Sequence, residues 1–206
     1  MRQMKFHPSQ HIFKSPKVHA VINEAIAFLN QTPIHQLPLP EPFIGTGVYI
    51  LYYLGNYALY KKIADANMPE CTQPIYVGKA VPKGWRTART GSEEDATLSQ
   101  RLREHARSIK QGAGINIPDF MCRFMILKGE ESSMITIVEA ALIRKYRPLW
   151  NTVVDGFGNH DPGSGRYDQA KSEWDVLHAG RSWAEKLRGK SPDLDGIEIK
   201  IKNALK

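Results

Sequence analysis

The run GVYILYYL at residues 47–54 leaves this chain few options. It carries no charge and is rich in β-branched and aromatic side chains, the composition of a buried strand. A second run, PIYVGK at residues 74–79, has the same character. Each holds a tyrosine beside a glycine: Tyr49 follows Gly47 by two positions, and Tyr76 precedes Gly78 by two. Glycine lets a backbone approach another group closely, so Tyr49 and Tyr76 stand apart from Tyr52, Tyr53, Tyr57 and Tyr60, which read as packing.

The segments around these strands set the class. GNYALYKKIADANMPECTQ, residues 55–73, is too long for a hairpin turn, and Tyr57, Leu59, Tyr60, Ile63 and Ala64 predict a short amphipathic helix inside it. Upstream, Pro16 can open a helix in which Val18, Val21, Ile22, Ala25, Ile26 and Leu29 recur at helical spacing, ahead of a proline-rich link. Downstream, TLSQ reads as a capping box, Thr97 with Gln100, opening a helix to about Lys110. DFMCRFMILKG predicts a third strand, and SMITIVEAALIRKYRP a helix closed by Pro148. Strand, strand, helix, strand, helix is an α+β layer. Beyond Asn151, Gly156, Gly158, Gly163 and Gly165 mark an ordered turn cluster. One or two helices packed through Trp174, Leu177, Trp183 and Leu187 follow, and GIEIKIKNALK alternates like an edge strand.

Charge narrows the partner. Lys+Arg 28 against Asp+Glu 21 gives +7, which attracts a polyanion. No apolar run approaches the roughly 20 residues that span a bilayer. The first residues lack the apolar region of a secretory signal, so the expected location is cytoplasmic. Cys71 and Cys122 offer neither a disulfide framework nor a zinc spacing.

Two positions ask for a chemical reason. Turned 100° per residue, the helix after the third strand places Ile135, Val138, Leu142, Ile143 and Tyr146 on one stripe, with Glu139 inside it. A carboxylate there needs a cation or donor, whether in a structural ion pair or at a site. On the preceding helix Leu98, Leu102, Ala106 and Ile109 form the buried stripe. Arg101 and His105, one turn apart, share its boundary.

In order, GVY, YVGK, RLREH, the helical glutamate and RPLWN resemble the signature of the GIY-YIG nuclease family, over about residues 45–152. The resemblance implies a small antiparallel sheet flanked by helices, with Tyr49, Tyr76, Arg101, His105, Glu139 and Asn151 as site residues. Glu139 would be the metal ligand, for one Mg2+ or a substituting Mn2+. The family usually sets its two tyrosine motifs about a dozen residues apart; here an insertion of about residues 55–73 separates them. With the glycine-rich segment and the SEWDVLHAGRSW region, that insertion is similar to the small Type II restriction enzymes of the family, most closely those cutting CCGCGG.

The implied organisation is an N-terminal helical arm (1–44), a catalytic module (45–152) and a C-terminal recognition and packing extension (153–206), together one compact domain. The implied partner is double-stranded DNA, cut at a palindrome by a homodimer with two facing sites. Tyr49 would take a proton from water as a phenolate favoured by Lys79, His105 and Arg101, while Tyr76 orients the nucleophile or phosphate. Lys79, Lys83, Arg86, Arg89, Arg166 and Arg181 are the candidates for DNA contact. The alternatives are a repair or mobile-element nuclease and a non-catalytic basic DNA-binding protein. Pro192-Asp193 with Glu198-Ile199-Lys200 also spells the PD-(D/E)xK nuclease pattern, with only four residues between its parts.

Overall fold

A computed structural model describes residues 7–84 and 95–206. Among them, β1 (His35–Gln36), β2 (Gly47–Tyr53), β3 (Tyr76–Ala80) and β4 (Phe120–Ile126) form an antiparallel sheet in the order β1-β4-β2-β3. β2 is paired on both sides and all seven of its residues are buried. Both faces are covered, which is why it reads as a continuous apolar run rather than an alternating one.

On one face Val48, Ile50, Tyr52 and Val77 pack against α1 (Pro16–Gln31) and α4 (Ile135–Tyr146) through Ile26, Leu29, Ile135, Val138 and Leu142. Asn30 and Tyr146 hydrogen-bond across the two helices at 2.9 Å. The other face carries Tyr49, Leu51 and Tyr53. These meet α3 (Thr97–Gln111) through Leu98 and Leu102, α5 (Leu149–Thr152) through Trp150, and α6 (Glu173–Leu177) through Trp174. Within the insertion, α2 (Lys61–Ala66) adds Ile63 and Ala64 to the same core. The observed layers are those of an α+β fold.

Two local expectations are corrected. GIEIKIKNALK is helical: α7 spans Leu194–Ala204. Ile197, Ile201 and Leu205 lie four apart and turn inward together, whereas Ile199, which made the sequence alternate, is exposed. Asp193 opens this helix by accepting the Gly196 N–H at 2.9 Å. Thr97 is not a cap but the first residue of α3. Asp95 does that work, accepting the Thr97 N–H at 2.9 Å and the Lys83 N–H at 2.9 Å. Burial opposes ionisation of Asp95, yet the bonds from Thr97 and Lys83 hold its carboxyl below the usual range.

The PD-(D/E)xK letters therefore fall on a helix, with Asp193 as its cap and Glu198 paired to Lys202 at 2.9 Å. They do not form a strand pair that could share a metal. On the nuclease activity that the GIY-YIG resemblance implies, Glu198→Ala is expected to leave plasmid cleavage intact; a digest that stops with this variant would reinstate the motif.

Candidate active site

The ring of Tyr49 crosses the sheet over Gly78, its register partner on β3, where any Cβ would collide with the phenol. That close approach explains the glycine two places after Tyr76. Beyond Gly78, Tyr49 Oη lies 2.6 Å from His105 Nε2. The Tyr76 ring is 5.2 Å from His105 and 6.3 Å from Tyr49. His105 was expected at the edge of the apolar stripe of α3; it is enclosed, and only Arg101 keeps the boundary.

Arg101 donates to Glu104 Oε2 at 2.8 Å and to the Gly158 carbonyl at 3.2 Å, and it contacts His160. On the other side of β3, Lys79 Nζ meets Glu139 Oε2 at 2.5 Å. The Glu139 side chain is 17% exposed, so the charge inside the α4 stripe is both paired and within reach of solvent. β3 is an edge strand of the sheet, with Tyr76 and His105 on one of its faces and Lys79 and Glu139 on the other. Glu139 and Arg101 act electrostatically on both Tyr49 and Tyr76. Asn151 completes that edge. Its Oδ1 accepts the Val77 N–H and its Nδ2 donates to the Val77 carbonyl, both at 2.8 Å, replacing the strand that β3 lacks.

The protonation states differ from the expected phenolate. Burial pushes the Tyr49 phenol well above its ordinary value and Tyr76 upward, and the Arg101 charge does not reverse this. Burial, with Arg101, His160 and Arg181, drives His105 well below the usual imidazole value. The pair is a neutral phenol against a neutral imidazole.

A second buried pair shows that this distance alone is not a site. Tyr60 Oη and His178 Nε2 are also 2.6 Å apart. There the Trp150 indole N–H donates to Tyr60 at 3.0 Å, and the Ala113 carbonyl takes the other ring nitrogen at 2.8 Å. No ionised side chain among the described residues joins that group, whereas Tyr49 and His105 both stand in the field of Arg101, and Tyr49 also in that of Glu139.

Both histidines make stability depend on pH. Burial lowers His178 to about 4 and His105 in the same direction. Below the ordinary value near 6.5 the unfolded chain binds protons that the folded one refuses, so stability falls as pH drops through that value and levels only near the folded values. Urea unfolding is expected to show a loss of about 1–2 kcal/mol between pH 6.5 and pH 5 from His178, with His105 adding to it in the same direction. A flat profile in that window would mean that neither imidazole is held neutral.

Not every basic candidate gathers at the site. Arg181, expected on DNA, is 1% exposed and buried against Asp175 at 2.6 Å; a neighbouring glycine-rich loop, not a groove, takes its donors. Lys83 is exposed after β3, and Arg166 is exposed on the turn Ser164–Arg166. Arg86 and Arg89 lie outside the described residues.

The family profile of the Eco29kI GIY-YIG domain matches residues 41–205. The chain belongs to this GIY-YIG nuclease family. Among curated proteins none matches it. The GIY-YIG match runs from ahead of β2 to beyond α7, so the C-terminal segment lies inside the matched domain. Membership makes the chain a GIY-YIG endonuclease with DNA as substrate. No helix among the described residues is long and apolar enough to cross a membrane. Phe157 and His160, which lie against His105, Tyr76 and Arg101, were not singled out from the sequence, because no periodicity marks them, and Gly158 was read only as part of a turn cluster.

Proposed function

We propose that this GIY-YIG nuclease is a Type II restriction endonuclease that hydrolyses double-stranded DNA at a short palindrome of the CCGCGG kind. One observation carries the reading: Tyr49, Tyr76, Arg101, His105 and Glu139 come from two strands and two helices, yet surround a single edge of β3. A purely structural pair would not need all five.

Water gives up its proton as Tyr49 passes its own to His105 Nε2, so no free phenolate need exist beforehand. The hydroxide oxygen then bonds to phosphorus, the bond from phosphorus to the 3′ oxygen breaks, that oxygen takes a proton from solvent, and His105 gives its extra proton back to solvent, which restores the neutral pair. Tyr49 is enclosed while Tyr76 is partly exposed, so Tyr76 meets the phosphate and orients the water. Arg101, braced by Glu104 and Gly158, faces the charge that builds on the phosphate. Asn151 holds β3 in place rather than reacting.

Glu139 fits a hard cation. Lys79 takes its Oε2, and its Oε1 has no partner among the described residues. Magnesium keeps most of its waters and needs only one or two carboxylates. No group of three or more His, Cys, Asp or Glu side chains among the described residues offers a larger cage. A bound divalent ion would supply charge neutralisation at the phosphate and the leaving oxygen, with manganese as a substitute.

A palindrome cut on both strands calls for two copies of the site and hence a homodimer. The arm ahead of β1 suits the interface, because Ile12, Phe13, Val18, Val21 and Phe28 are exposed on it. Lys83, Arg166 and the segment carrying Arg86 and Arg89 remain the candidates to touch DNA, within a scheme of arm 1–44, module 45–152 and extension 153–206. The protein would act in the cytoplasm.

Incubating the protein and magnesium with plasmid tests this. Discrete fragments whose sequenced ends share one palindrome are expected. A smear would point to a nonspecific nuclease, cuts at branched structures alone to a repair enzyme, and intact DNA to a binder.

A further inference from the structure

Arg181 is the largest buried charge left without a role by the reaction. Its Nε donates to Asp175 Oδ1 at 2.6 Å, and Ser172 holds the other carboxylate oxygen at 2.6 Å. Its remaining donors go to one short segment: Nη2 to the Gly156 carbonyl at 2.9 Å, Nη1 to the Phe157 carbonyl at 3.0 Å and the Asn159 carbonyl at 3.3 Å. The Trp174 and Trp183 rings lie against the guanidinium at 4.6 and 4.7 Å. Residues 156–159 belong to no helix or strand, so this fork supplies much of what fixes them.

What that segment presents inward lands on the site. The Phe157 ring stacks on His105 at 4.6 Å and 19°, and meets Tyr76 edge-on at 4.8 Å. The Gly158 carbonyl accepts from Arg101, and any Cβ at position 158 would meet the Tyr76 hydroxyl at 2.8 Å. His160 contacts the same arginine.

We propose that Arg181 is a positioning residue for cleavage: by holding the carbonyls of residues 156, 157 and 159, it sets Phe157 against His105 and Gly158 against Arg101 and Tyr76. This rests on the nuclease reading of the site. Phosphate attack depends on geometry at the scale of an ångström, and a segment without its own ladder of hydrogen bonds cannot keep that geometry unaided. The imidazole of His105 is faced by Tyr49 from β2, Tyr76 from β3, Arg101 from its own helix, and Phe157, His160 and Arg181 from the loop side. Loosening the loop admits water to that imidazole.

Arg181→Lys keeps a cation for Asp175 but loses the fork that reaches three carbonyls. On a duplex that the wild type cuts, its single-turnover rate at saturating protein should fall about 10- to 100-fold, with DNA affinity within about twofold of wild type. By NMR, His105 should titrate closer to 6.5 in the variant. Should Arg181→Lys not fold, Phe157→Leu removes the stack while leaving the Arg181 pair intact, and the same two changes are expected. A wild-type saturating rate in the folded variant would reduce Arg181 to a stabilising role, and a loss confined to affinity would place it in binding; either overturns the proposal. If the wild type cuts no DNA, the nuclease reading has failed. The His105 titration then decides the loop's role, and an unchanged titration rejects it.

Discussion

Glu139→Gln is expected to abolish cleavage and to leave DNA binding at or above the wild-type level. The substitution keeps shape and removes one charge, so its structural cost is small: the ion pair with Lys79 is partly exposed and, after screening, worth about 1 kcal/mol or less. Lys79, 34% exposed, can turn to solvent. Binding to a polyanion does not suffer when a carboxylate beside the phosphate is neutralised. Rate does, because the residue that would hold the divalent ion no longer competes for it. A fall of at least about 10³-fold, near 4 kcal/mol of barrier, is expected under single turnover. Turnover within about tenfold of wild type would remove Glu139 from the metal and reduce its place in the α4 stripe to the structural ion pair that its sequence position also allowed.

The second large effect separates two pairs of equal geometry. Tyr49→Phe breaks the contact with His105 and is expected to slow cleavage about 10²- to 10⁴-fold, the range for losing a positioned proton-transfer group. Tyr60→Phe breaks a contact of the same length but leaves the Trp150 indole N–H and a His178 ring nitrogen without their partner in the core. Its cost is stability, about 1–3 kcal/mol, with the saturating rate kept. Both variants leave a buried imidazole nitrogen without its partner and lose melting temperature, so single-turnover cleavage separates them: Tyr49→Phe loses rate and Tyr60→Phe keeps it. If both lose only stability, Tyr49 is a packing residue like its neighbours and the relay fails.

The contrast between the pairs marks what a sequence can disclose. The strands and helices were legible because β2 is covered on both faces and α1, α3 and α4 bury one stripe each, so composition and period carry the signal. Glu139 was legible because a charge inside an apolar stripe breaks its own pattern. Arg181 misled: arginine is the usual reader of guanine and so suggested DNA, but its acid partner, Asp175, buries it. Alternation misled at α7, where Ile197, Ile199 and Ile201 fit a strand as well as a helix and Asp193 decides the matter by capping. Charge arithmetic misled at Tyr49: nearby cations suggested a phenolate, but the cost of enclosing the ring outweighs Arg101. Contacts such as Phe157 on His105 join distant parts of the chain through packing, which leaves no local trace.

The organisation of the site around one edge strand also explains why a small sheet suffices. Asn151 closes the Val77 backbone, Gly78 admits the Tyr49 ring, and Lys79 reaches Glu139, so three successive residues of β3 serve the site in different ways.

A crystal structure of the Glu139→Gln variant with an uncut target duplex tests the central claim most directly. The scissile phosphate is expected within about 3 Å of Arg101 and Tyr76, on the β3 edge, with a water between it and Tyr49. A duplex seated on another face, with those side chains touching no phosphate, would contradict the account.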